Sequence, residues 1–275
     1  MTITAIGAHR RRLHWRTELP LIAVVYALYS GTRLLIRGEA GDAMRHGADI
    51  LHLERLVPLD PEHWFNQLLA THAVLGVPAD FAYASLHYIV TPAVLVWLWR
   101  RRPQHYRAAR TWLMLSTLTG LIGFTVLPTA PPRLLAGDYG FVDTMAQYSS
   151  YGWWGADASA PRGLGYLTNQ YAAMPSLHVG WSVWCGVVLL RFARHWPVRA
   201  LGALYPVVTV LVVLGTANHY LLDAVAGVLV MGIGLALTGL VQRVTDTVRR
   251  DAGASGAEVP PGHSDAPRAR YPVQR

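Results

Sequence analysis

Two short stretches of this chain place a histidine at the head of an apolar run: Ala-Met-Pro-Ser-Leu-His at 173 to 178 and Asn-His-Tyr-Leu-Leu-Asp at 218 to 223. Residues four apart share a helix face, so Asp223 can accept a hydrogen bond from one nitrogen of His219 while the other nitrogen points at a substrate. Pro175 suits the first turn of a helix, where its missing N–H is not needed. The N–H groups of Ser176, Leu177 and His178 then form an anion site, reinforced by the helix dipole. Asn218 is a good cap for the helix that follows it. A third stretch, Pro131-Pro132-Arg133, supplies a cation. Together these residues suit nucleophilic and acid–base chemistry on an anion.

Each residue also has a plainer reading. A single histidine at a membrane helix end is often only interfacial, Arg133 could anchor a phospholipid headgroup, and the two prolines could merely end a helix. Asp223 is harder to set aside, because an intramembrane carboxylate costs several kcal/mol unless it is partnered. Taken jointly, the four groups favour a functional site.

The elements that must position them are apolar and long. The composition is 52% hydrophobic with ten Trp, and the mean hydropathy is positive. At 1.5 Å rise, about 20 residues cross roughly 30 Å of hydrocarbon. Blocks of that kind lie near 19–36, 80–99, 108–128, 174–192, 199–217 and 219–241. Lipid leaves no partner for the backbone of an open sheet, so the blocks predict an all-α polytopic membrane protein, a bundle of six transmembrane helices. The domain boundaries follow: an N-terminal segment over 1–18, a membrane domain over 19–244 and a disordered tail over 245–275.

Every basic residue is Arg, and most of the 24 lie before the first block, around the joins of blocks two and three and of blocks four and five, and after block six. The positive-inside rule puts those segments and both termini in the cytoplasm. The basic stretch Arg10, Arg11, Arg12 and Arg16 is read as this topology signal and not as the start of a cleaved signal peptide, since no small-residue cleavage site follows. The excess of positive charge adds attraction to anionic membrane lipids and gives no reason to expect nucleic acid as a partner. Segments 37–79 and 129–173 and the turn near 215–218 then face outward, so Arg133, His178 and His219 meet at the outer face.

Within the first outer segment, Trp64, Phe65, Leu68, Leu69 and Leu75 recur at roughly helical spacing, which predicts an interfacial amphipathic helix over 62–75. The 129–173 loop carries aromatics suited to the lipid interface. Cys185, the single cysteine, has no disulfide partner in the chain and reads as a small core residue.

Pro-Pro-Arg at 131–133, Pro-Ser-Leu-His at 175–178 and His-Tyr-Leu-Leu-Asp at 219–223 resemble the three motifs of the type 2 phosphatidic acid phosphatase superfamily. The Ser-Leu-His form and the neighbourhoods of Glu54 and of Tyr83 to His87 resemble its inositol phosphorylceramide synthase-like (inositolphosphotransferase) branch. The likeness spans roughly residues 45–240. It implies a plasma-membrane enzyme that needs no metal or cofactor and moves a phosphoryl group from a phospholipid or polyprenyl-phosphate type substrate. His219 would attack phosphorus to form a phosphohistidine, Asp223 would orient it, and His178 would protonate the leaving oxygen. Arg133, Ser176 and the amides near Leu177 would hold the phosphoryl oxygens. His87, Arg162, Tyr171 and Asn218 could line the site. Two departures stand out: phosphatases of the superfamily carry a Lys before the first-motif Arg, which this chain cannot supply, and an Arg where this sequence has Val213. Arg162, Arg45 and His87 are the substitutes available.

Two other classes compete with a lipid phosphatase or headgroup phosphotransferase. One is a metal-dependent membrane hydrolase built from His52, His87, His178 and His219, against which no metal-ligand spacing is evident. The other is a transporter or structural membrane protein using Asp223 and the histidines as a relay, although no inverted repeat is visible.

Overall fold

The computed structural model describes residues 40–56, 61–135, 137–154 and 169–255, with a few positions between 16 and 31. Most of the first apolar block, Arg162 and the tail beyond Ser255 lie outside the described residues. The chain divides into two units, residues 1–238 and 239–275, and the site lies in the first.

Helix α1 spans Ala40–Leu56, α2 Pro61–Thr71, α3 Ala73–Arg101 and α4 Pro103–Val126. A short helix α5, Thr144–Gln147, interrupts the long loop, and α6 Leu177–Phe192, α7 Trp196–Gly215 and α8 Leu221–Ser255 complete the series. No strand occurs among the described residues. Three of these helices, α3, α7 and α8 as far as Val248, are long and apolar enough to cross a membrane. Helix α6 is apolar but has only 16 residues. Helix α4 has 24 residues, but His105, Arg107, Arg110 and several hydroxyl side chains dilute its hydropathy.

Helix α1 was not anticipated. Its apolar stripe is interrupted by Arg45, His46, His52 and Arg55, which hides the period, yet Ala43, Gly47, Ile50, Leu51 and Glu54 fall on one buried face. Of the amphipathic helix expected over 62–75, α2 covers the part to Thr71 while Leu75 belongs to α3, and the orientation of α2 differs from the simple reading. Glu62 and Asn66 are its buried residues, while Trp64 is 62% exposed. The polar face turns inward because it has partners there: the Asn66 amide donates to the carbonyls of Val142 and Gly215 and accepts the Val142 N–H. The last helix runs to Ser255, past the point near Thr245 where the sequence pattern ends it.

Between lipid-facing helices burial of apolar surface gives little drive, so close packing and satisfied polar groups must hold the bundle. Three indoles do this. Trp112 of α4 donates to the Met231 carbonyl of α8 at 2.7 Å, Trp184 of α6 to the Ala109 carbonyl of α4 at 2.9 Å, and Trp181 of α6 to the Thr117 hydroxyl of α4 at 3.0 Å. Cys185, fully buried, sits in the same cluster with Leu98, Trp112 and Trp184. Gly227 of α8 lies against the Ser176 carbonyl so closely that any Cβ would collide with it. That contact sets the second and third motifs side by side.

Candidate active site

The three motif segments are joined through their backbones. Thr129 and Ala172 form an isolated parallel bridge, with the Thr129 N–H donating to the Tyr171 carbonyl at 2.8 Å and the Ala173 N–H to the Thr129 carbonyl at 3.2 Å. The Arg133 N–H donates to the Ala217 carbonyl, and the Ser176 N–H to the Asp223 carbonyl, each at 2.9 Å. These bonds draw 129–133, 171–178 and 217–223 into one place, although more than 80 residues separate the first from the last.

Helix α7 ends in a tight turn in which Ala217 has φ +52°, and the N–H groups of Asn218 and His219 both donate to the Val213 carbonyl. Position 213, where the superfamily motif has Arg, thus contributes its backbone. Nδ1 of His219 lies 2.9 Å from the Ala173 carbonyl oxygen and 3.3 Å from Oδ2 of Asp223. A carbonyl can only accept, so Nδ1 carries a proton, and in the neutral ring the lone pair is then at Nε2. Asp223 is fully buried. Its Oδ2 also accepts the Tyr220 N–H at 3.0 Å, which fixes the carboxylate beneath the imidazole.

Ser176 caps α6, its hydroxyl accepting the Val179 N–H. Its own N–H is consumed by Asp223, so the amide donors that could meet an anion are narrower than the sequence pattern suggests, and the Leu177 side chain packs into the bundle against Leu121 and Phe124. His178, the second residue of α6, lies beside His219, with ring centroids 5.6 Å apart. Tyr83 of α3 stacks on the His178 ring at 4.6 Å, and His87 meets it edge-on at 4.4 Å. Tyr171, half-buried, is held by its backbone in the bridge strand.

Arg133 sits in a 3-10 turn over Pro132–Leu134. Nε donates to Oδ1 of Asn218 at 2.9 Å and Nη1 to Oδ2 of Asp143 at 3.0 Å, so the guanidinium is fixed one residue from His219. Asn218 therefore orients Arg133 and does not cap the following helix as the sequence suggests: α8 begins only at Leu221, and carboxylates take the N–H groups of Tyr220, Leu221 and Leu222. Asp143 was not foreseen. It caps α5 through its other oxygen, which accepts the Ala146 N–H. Arg45, one of the substitute cations, instead pairs with Asp42 on the exposed side of α1.

Two further acids were visible only as motif neighbours or not at all. Oε1 of Glu54 accepts the Leu222 N–H at 2.6 Å, and Oε1 of Glu62 accepts the Leu221 N–H at 2.7 Å. Their signal in the sequence is an acid on the buried stripe of a short helix, Glu54 following Gly47, Ile50 and Leu51 at helical spacing. Burial pushes the Glu54 carboxyl up to about 8, against the pull of the Leu222 N–H and aided by the charges of Glu62 and Asp223. Burial likewise raises Tyr220 above the ordinary phenol range, helped by Asp223 and Glu54. Among the described residues, no group of three or more His, Cys, Asp or Glu is arranged to hold a metal ion.

A family model for the PAP2 superfamily matches residues 48–237. The chain belongs to the PAP2 superfamily. That region includes all three motif segments and helices from α1 into α8. PAP2 membership points to an enzyme of the phosphatase or phosphotransferase type with a lipid phosphate as substrate, and the apolar helices point to a membrane protein. No curated protein and no solved structure matches the chain.

Proposed function

We propose that this PAP2 protein is an integral membrane enzyme that takes a phosphoryl group from a lipid-linked phosphate at the outer leaflet, through a phosphohistidine on His219 and without a metal. The observation that carries the reading is the facing of His219 and His178 at 5.6 Å between ring centroids, beside a guanidinium held by Asn218. Two neighbouring imidazoles can act on one phosphoryl group, one attacking phosphorus and the other meeting the leaving oxygen.

In this reading the Nε2 lone pair of His219 forms the N–P bond as the bond from phosphorus to the lipid oxygen breaks. His178 gives its proton to that oxygen. Asp223 and the Ala173 carbonyl hold Nδ1–H and stabilise positive charge on the ring as it develops. Arg133 and the first amides of α6 take the phosphoryl oxygens. Water or an alcohol then attacks phosphorus, returns a proton to His178 and releases His219. Six crossings, with both termini in the cytoplasm of a plasma-membrane protein, put this pocket outside.

Product analysis tests the reading and separates its two forms. Purified enzyme in lipid nanodiscs is given phospholipid labelled in its phosphate, with and without inositol or another polyol. Inorganic phosphate marks hydrolysis, a new labelled phosphate ester of the polyol marks transfer, and unchanged substrate under both conditions would contradict the proposal.

A further inference from the structure

The first turn of a helix normally leaves its N–H groups without partners inside the helix, and together with the dipole they attract an anion. In α8, immediately after His219, three carboxylates occupy that place. Asp223 takes the N–H of Tyr220, Glu62 that of Leu221 and Glu54 that of Leu222. Two of the three come from outside the motifs, on α1 and α2. All three residues are buried, with exposures of 5% for Glu54 and 0% for Glu62 and Asp223. One carboxylate suffices to cap a helix, and crowding further buried acids against it is unfavourable unless the charge is put to use. The substrate phosphate is thereby directed away from α8 and toward α6 and Arg133.

We infer that Glu54 and Glu62 are positioning residues for phosphoryl transfer, together fixing the first turn of α8, with Glu62 placing negative potential behind His219 where the imidazole becomes positively charged. The inference rests on the proposed phosphohistidine. As Nε2 gives its electron pair to phosphorus, the ring gains positive charge, and fixed anions behind it lower the energy of that state. The same anions repel the substrate phosphate, so their number must be limited. The groups that face Glu54 are Glu62 from α2, Asp223 from α8 and Tyr220 just before α8, with Tyr139 of the loop approaching Tyr220. Near neutral pH Glu54 keeps its proton among these neighbours. Above about pH 8 it becomes a further anion.

The test uses the full-length protein in nanodiscs, with Glu62→Gln and Glu54→Gln. Glutamine keeps an oxygen for the Leu221 or Leu222 N–H, so both variants retain the cap, and their melting curves verify folding. Rapid quench measures the rate of labelled phosphohistidine formation, and steady-state assays give kcat and KM across pH. The expected results are a fall in kcat for Glu62→Gln on the order of 10- to 100-fold with little change in KM, and for Glu54→Gln a smaller fall in kcat at pH 7, about 3- to 10-fold, with loss of the change in rate expected of the parent enzyme as pH passes about 8. Wild-type rates and pH profiles in both variants would reduce the two acids to structural caps and overturn the inference. Absence of phosphohistidine in the parent enzyme would instead overturn the proposed mechanism, and this inference with it.

Discussion

An imidazole can attack phosphorus only if the nitrogen that faces substrate keeps its lone pair, and at His219 that choice is made by two acceptors at Nδ1, the Ala173 carbonyl and Asp223. Replacement of His219 or His178 by Ala therefore removes the nucleophile or the proton donor, and turnover is expected to fall by at least about 1000-fold with melting behaviour preserved. Asp223→Asn leaves the ring in place but weakens stabilisation of its positive charge. The expected outcome is a loss in kcat of about 100-fold with KM changed far less. Glu54 gives a separate prediction for stability. Its carboxyl is raised from 4.5 to about 8 in the folded protein, so the folded state holds the proton more tightly than the unfolded chain. The stabilisation is complete below the unfolded value and is lost as pH rises through the folded one. Melting temperatures are expected to decline between about pH 5 and about pH 9, and Glu54→Gln to flatten that decline. Of these residues, the two histidines and Asp223 are legible in the sequence because titratable groups stand out against apolar helix. Glu54 is legible only through the family resemblance and Glu62 not at all, since their importance depends on a contact with α8 more than 150 residues away.

The elements of the site are joined by polar contacts and by close backbone approach, and each can be probed. At Gly227, alanine would force α8 away from Ser176. The cost is expected at about 1 to 3 kcal/mol, with activity reduced as well because the same carbonyl region carries His178. Asn66→Ala leaves the Gly215 carbonyl and both polar groups of Val142 without their partner. A loss of at least about 2 kcal/mol in folding free energy, measured by denaturation in mixed micelles, is expected. The later apolar blocks were readable from composition as helices, but not all their ends: α3 begins seven residues before its block and α8 runs fourteen past its own. Helix α1 and the inward-facing polar side of α2 were not, because hydropathy ranks a residue by its solvent and not by its hydrogen-bond partner. Arg133 was readable as a cation, but Asp143, its second anchor, lies in a loop without periodicity.

Across the whole molecule, the Arg distribution predicts which segments face the cytoplasm, and cysteine labelling can read that directly. Cys185 is fully buried, so the parent protein is expected to give little background with a membrane-impermeant maleimide. Trp64→Cys on α2 is expected to label in intact cells, and Arg194→Cys, between α6 and α7, only after permeabilisation. The reverse pattern would place the pocket on the cytoplasmic side. Every residue of the site described here lies in the unit of residues 1–238. Truncation after Ser255 is therefore expected to leave kcat and KM unchanged.

The most direct measurement is trapping of the covalent intermediate. Enzyme mixed with phosphate-labelled lipid and quenched in alkali should carry label that is stable to base and released by acid, at His219 by peptide mapping, and absent from His219→Ala. A chemically competent enzyme that turns over the same substrate with no such label, or a His219→Ala variant that retains both label and turnover, would contradict the account.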